Sequence, residues 1–104
     1  MEAKYQSRDI RWLLLSIMHE ARKAGKAQRG GWLNQLMLQE ILSVQGYDLT
    51  AEEMKDELEY LIDKGCAAKE RIDTRMNKYR ILATGIDVLN GEIKIPGIGI
   101  IAGK

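Results

Sequence analysis

Four carboxylates, Glu52, Asp56, Glu59 and Asp63, recur at i, i+4, i+7 and i+11, the spacing that places side chains on one face of a helix. Such a row can hold a cation or meet a basic protein partner, although a plain solvated face is the commoner outcome. Downstream, Lys69, Arg71, Arg75, Lys78 and Arg80 crowd a stretch of alternating character. Their chemistry is the converse, because Lys and Arg neutralise nucleic-acid phosphates and release the counterions held there. The segment AGKAQRGG, Ala24 to Gly31, combines three glycines with Lys26 and Arg29. Backbone amides and cations in one loop favour phosphate contact. Its spacing matches no phosphate-loop motif, however, and an ordinary flexible connection with solvated charges accounts for it as well.

Covalent and metal chemistry find little to work with. The chain has one cysteine, Cys66, and one histidine, His19. A nucleophilic pair would need the two in contact, whereas Cys66 sits where a small apolar residue leads into a strand. A buried, inert thiol is the reading that follows. Met18, Met37 and Met54 read as gap-filling core residues rather than ligands. Gly97-x-Gly99 is too short a signal for a nucleotide site. No enzyme, no cofactor and no metal site is expected.

The 104 residues suffice for one domain with a modest core and no disulfide or metal staples. With 45% hydrophobic and 30% charged residues, the chain is globular rather than disordered. A single cysteine suits a reducing cytoplasm. The apolar runs are too short to span a bilayer, and no basic-then-apolar leader opens the chain. A formal net charge of +1 exerts no global pull on nucleic acid. Its distribution says more: residues 1–30 sum to about +4, 31–49 to about −2, 50–65 to about −4 and 66–80 to about +3. The folded molecule should be electrically two-sided.

One stretch orders these groups. In LTAEEMKDELEYLIDKG, Leu49 to Gly65, the residues Met54, Leu58, Leu61 and Ile62 form an apolar stripe. Thr50 and Glu53 have the spacing of a capping box, and Gly65 supplies a left-handed stop. Ahead of it, Ser7 or Asp9 caps a helix running to about Lys23. Ile10, Leu13, Leu14, Ile17, Met18 and Ala21 form its inner face, and Trp12, Leu15 and His19 a flanking stripe. Either both stripes share one core, or Trp12 and Leu15 reach a second subunit of a homodimer.

A second helix is expected to open at Trp32 or Leu33 and run to about Gln45. Leu33, Leu36, Met37, Ile41 and Val44 should face inward, with Leu38 and Leu42 beside them. Gly46-Tyr47-Asp48 is a turn of helix-turn-helix length. After Gly65 the period switches to two. CAAKERI and KYRILA form a hairpin from Cys66 to about Ala83, joined around Asp73 to Asn77. A short helix from Thr84 stops at Gly91. Five isoleucines in the last twelve residues, Ile98 and Ile100 among them, are too many for a solvated end. Either they pack back over the core or they add a strand to a partner, and packing within a dimer is the reading favoured.

This order is that of a winged helix-turn-helix: α+β, mainly α, with three helices, a two-stranded wing, a short C-terminal helix and an isoleucine-rich tail. The expected organisation is a single winged-helix domain over 1–104, with a core over 8–91 and a tail over 92–104. Four runs carry a family resemblance: Gly46-Tyr47-Asp48-Leu49-Thr50; Leu58-Glu59-Tyr60-Leu61 before Gly65; Ile81-Leu82-Ala83-Thr84-Gly85-Ile86-Asp87-Val88 with Gly91; and Ile95-Pro96-Gly97-Ile98. Together they resemble a small family of winged-helix proteins, labelled ArsR-like, that Mu-like phages and prophages encode. The resemblance covers residues 8–98 approximately. It implies a phage setting in the cytoplasm of a bacterial host, and no activity, metal or catalytic residue. ArsR-type metal sites need clustered cysteines or histidines, which this chain lacks.

Two functions then compete. As a transcriptional regulator the protein would contact double-stranded DNA through its basic wing and first helix: Lys69, Arg71, Arg75, Lys78 and Arg80, with Lys26 and Arg29 after that helix. The helix that would enter the groove argues against ordinary readout. Its expected exposed positions are Glu52, Glu53, Lys55, Asp56 and Glu57, and carboxylates beside phosphates oppose binding. The other function is a non-enzymatic adaptor whose Glu52, Asp56, Glu59 and Asp63 bind a basic protein partner. Fold alone does not choose between them.

Overall fold

Local signals account for most elements of the computed structural model, which describes residues 5–24, 31–72 and 76–99. Helix α1 spans Ser7–Ala24, with Asp9 in its first turn and Arg22 and Lys23 in its last, each sign complementing the helix dipole. Strand β1 (Leu33–Asn34), helix α2 (Gln35–Val44) and helix α3 (Ala51–Asp63) follow. Strands β2 (Ala67–Arg71) and β3 (Asn77–Ile81) precede helix α4 (Ala83–Leu89).

The capping box expected at the start of α3 is present. The Thr50 hydroxyl accepts from the Glu53 amide at 3.1 Å, and the Glu53 carboxylate accepts from the Thr50 amide at 2.9 Å. At the other end Gly65 adopts φ +76°, which a side chain would strain. The Gly65 and Cys66 amides then donate to the Ile62 and Leu61 carbonyls at 3.0 and 2.9 Å, closing the helix.

The sheet has three strands in the order β1-β3-β2, all antiparallel. This corrects two expectations. Leu33 and Asn34 do not open the second helix; they pair with Tyr79 and Lys78 and add a strand beside the wing. Asn34 instead caps α2, its Oδ1 accepting from the Met37 amide at 2.8 Å. The inward face of α2 is also rotated from the expected one. Leu38 and Leu42 are fully buried, while Leu36 is 59% and Val44 88% exposed. Of the stripe expected to face inward, Leu33 is buried and Met37 and Ile41 are half-buried, while Leu36 and Val44 lie in solvent because the flanking pair Leu38 and Leu42 faces the core.

Met54, Leu58 and Leu61 of α3 bury completely, together with Ile10, Leu14 and Met18 of α1 and with Tyr79 and Ile81 of β3. Leu15, expected either in the shared core or at a second subunit, is fully buried, and Ile98 is only 6% exposed. Both belong to the core of their own chain, which corrects their placement at a subunit contact. That core extends past residues 8–91, since Tyr5 also packs against it.

Glu57, expected to be exposed, is buried at 5%. Arg11 of α1 explains it: its Nε lies 2.7 Å from Glu57 Oε1, and the Ser7 hydroxyl donates to Oε2 at 2.7 Å. The same guanidinium lies 3.6 Å from the centre of the Tyr60 ring and donates to the Gly97 carbonyl at 2.9 Å. A Cβ at Gly97 would overlap the Tyr60 hydroxyl, so the close approach of the C-terminal segment requires glycine.

Candidate nucleic-acid interface

A strand sends successive side chains to opposite faces. Tyr79 and Ile81 of β3 are buried, so Lys78 and Arg80 stand on the outer face of the sheet. On β2 the buried residue is Ala67, which puts Lys69 and Arg71 on the inner side and Ala68 and Glu70 outside. The register then arranges the outer face in two rows. Asn34, Lys78 and Glu70 make one. Arg80 and Ala68 make the other, extended by Trp32, which precedes Leu33.

The charges of the hairpin are therefore split between two environments. Beneath the wing, Lys69 Nζ lies 2.8 Å from Glu59 Oε2 of α3. That hydrogen bond holds the Lys69 pKa above its ordinary value. Outside, the ring centre of Trp32 is 4.9 Å from Lys78 Nζ and 4.9 Å from Arg80 Cζ, within cation–π range. Lys78 also pairs with Glu70 at 3.2 Å. Among the described residues no carboxylate forms an ion pair with Arg80, and its buried Nε has no acceptor.

The acidic row is where helical spacing puts it. Glu52, Asp56 and Asp63 are exposed, and Glu59 is half-buried beneath Lys69. Burial raises the Tyr5 phenol pKa, and the nearby Glu53, Glu57 and Asp56 raise it further. Arg71 is exposed. Lys26, Arg29, Arg75 and Ile100 lie outside the described residues. Trp12 lines a cleft of about 290 Å³ between α1 and the C-terminal segment, with Arg8, Val88, Ile93, Ile95 and Pro96.

Cys66 is buried, and burial raises its thiol pKa. His19 Nδ1 is buried without a hydrogen-bond partner among the described residues. Among the described residues no group of three or more His, Cys, Asp or Glu is arranged to hold a metal ion, and no helix is long and apolar enough to cross a membrane. Trp32 is the residue on this candidate face that sequence reasoning missed. Its signal was a tryptophan beside alternating bases, visible only once Leu33 is paired with Tyr79.

Helix, short strand, helix, turn, helix and a hairpin returning beside the first strand define a winged helix-turn-helix domain. No family model matches the chain, and no curated protein matches it. Among solved structures, H. salinarum RosR grown from NaBr superposes with a TM-score of 0.65 at 19% identity, covering 80% of this chain and 67% of that one. The complex structure RosR-S1 gives 0.63 at 19% identity over 79% of this chain and 65% of the other. RosR-S4 gives 0.64 at 20% identity over 83% and 70%. At such identity the likeness is one of fold.

Proposed function

We propose that this winged-helix protein is a phage or prophage regulator that binds double-stranded DNA through the outer face of its wing, with the acidic face of α3 turned away from the duplex. The winged-helix likeness to RosR supports the general reading, and one observation carries the specific one. The wing divides its bases, spending Lys69 on Glu59 below while Lys78 and Arg80 stand together on the opposite face. Lys26, Arg29 and Arg75 adjoin these elements in sequence and serve as further phosphate contacts.

Retention on a mixed-sequence duplex at low salt tests this. The double variant Lys78→Ala/Arg80→Ala should weaken binding about tenfold or more and reduce the salt slope by about 2. Glu52→Gln/Asp56→Gln should bind as well as the parent or better. Undiminished retention of the Lys78→Ala/Arg80→Ala protein rejects the reading.

The exposed carboxylates of α3 favour a second reading, an adaptor for a basic protein segment. Glu52, Asp56 and Asp63 are open and form no ion pair among the described residues. A lysine-rich peptide that binds the parent at physiological salt but not Glu52→Lys/Asp56→Lys, with unchanged circular dichroism, supports it. Equal binding by both dismisses it.

A further inference from the structure

We infer that the outer face of the three-stranded sheet is a stacking platform for an unpaired nucleic-acid strand, in which Trp32 receives a base and Lys78 and Arg80 meet the flanking phosphates. This rests on the reading above that the outer face binds nucleic acid, and it assigns that face a single strand in preference to the duplex.

Three observations converge on that face. The first is accessibility. It lies opposite the side on which Tyr79 and Ile81 are buried, and Trp32, Lys78, Arg80 and Ala68 all keep part of their surface in solvent. The second is composition. The ring of Trp32 lies within cation–π range of two cations on the adjacent strand, and Ala68, next in that row, adds only a methyl group. Both cations lie over that ring, so an incoming base takes the place of one of them and leaves that cation to the adjoining phosphate. The third is charge. The row positions hold two cations and one carboxylate, Glu70, which pairs with Lys78 and leaves Arg80 uncompensated among the described residues. A strand of phosphates complements that surplus.

The choice of a single strand follows from shape. Reading a duplex requires an element that projects into a groove and side chains that reach base edges. A tryptophan on the outer face of a sheet offers a π surface instead, and a base reaches it only when freed from its complement. Stacking of that kind tolerates any base, so the site needs no hydrogen-bonding code.

The chain has two tryptophans, so a Trp12→Phe background makes intrinsic fluorescence report Trp32 alone. Titration with an oligothymidylate of about 12 nucleotides should quench that emission. The strand should bind about tenfold more tightly than a duplex of the same length, with affinity falling as salt rises. Trp32→Ala should lower strand affinity about tenfold, measured by anisotropy of a labelled oligonucleotide, while Trp32→Phe retains most of it. Absence of quenching, or equal affinity for strand and duplex with no loss in Trp32→Ala, overturns the platform and leaves the duplex-binding reading standing. Failure to bind either polymer removes both.

Discussion

Arg11 Nε lies 2.7 Å from Glu57 Oε1, joining α1 to α3 through a pair that is 19% and 7% exposed at its two side chains. The guanidinium also holds the Gly97 carbonyl and covers Tyr60, so three segments far apart in the chain meet at one cation. Breaking such a pair strands a charge in a poorly hydrated place.

Glu57→Ala is therefore expected to lower stability by about 3 kcal/mol, because Arg11 loses its carboxylate where water replaces it poorly. Replacing both partners, Arg11→Met with Glu57→Leu, should recover most of that loss. Urea unfolding midpoints measure both. A single-variant effect below about 1 kcal/mol would place the pair among ordinary surface contacts.

The rotation of α2 makes a contrast between neighbours. Leu38→Ala should cost about 2–5 kcal/mol, because a fully buried leucine leaves a cavity. Val44→Lys, at a position 88% exposed, should change stability by no more than about 0.5 kcal/mol. Thermal unfolding of the two variants distinguishes this helix phase from one in which Val44 packs inward.

Alkaline pH should weaken the fold. Burial raises the Cys66 thiol above its ordinary 9.0 and the Tyr79 phenol above 10.0, and the Glu59 hydrogen bond raises Lys69 above 10.5. Each group holds its proton more tightly when folded, so its contribution is intact below the ordinary value and is lost as pH climbs through the folded one. The urea midpoint should hold steady up to pH 9.0 and decline beyond it. Tyr79→Phe should flatten the decline above pH 10.0.

The same burial governs the reactivity of Cys66. Its side chain is fully buried, and the thiolate is the attacking species. Alkylation by iodoacetamide in the native protein should run at least about a hundredfold slower than in urea, limited by opening of the fold. A rate matching that of the unfolded chain would mean that the entry to β2 stays open.

Features within one helical turn of their partner were legible in the sequence. Thr50 and Glu53 form their capping box through groups three residues apart, and Met54, Leu58 and Leu61 bury as their spacing requires. What escaped was set by distant partners. Glu57 read as exposed because Arg11 is 46 residues away in the chain. The two residues of β1 carry no periodicity, and their conformation is defined only by Tyr79 and Lys78 across the sheet. In α2, with apolar residues on both Leu36/Val44 and Leu38/Leu42, the composition admits two faces, and the packing against α3 and β3 selects one. The wing bases were recognised by type, but their separation into Lys69 below and Lys78 with Arg80 above needed the register.

That register has a consequence for the surface field. A slip by one residue would turn Lys78 and Arg80 into the interior and bring Tyr79 and Ile81 out. The direction in which the wing presents its positive charge is thus decided from beneath, by a phenol and an isoleucine that hardly meet water.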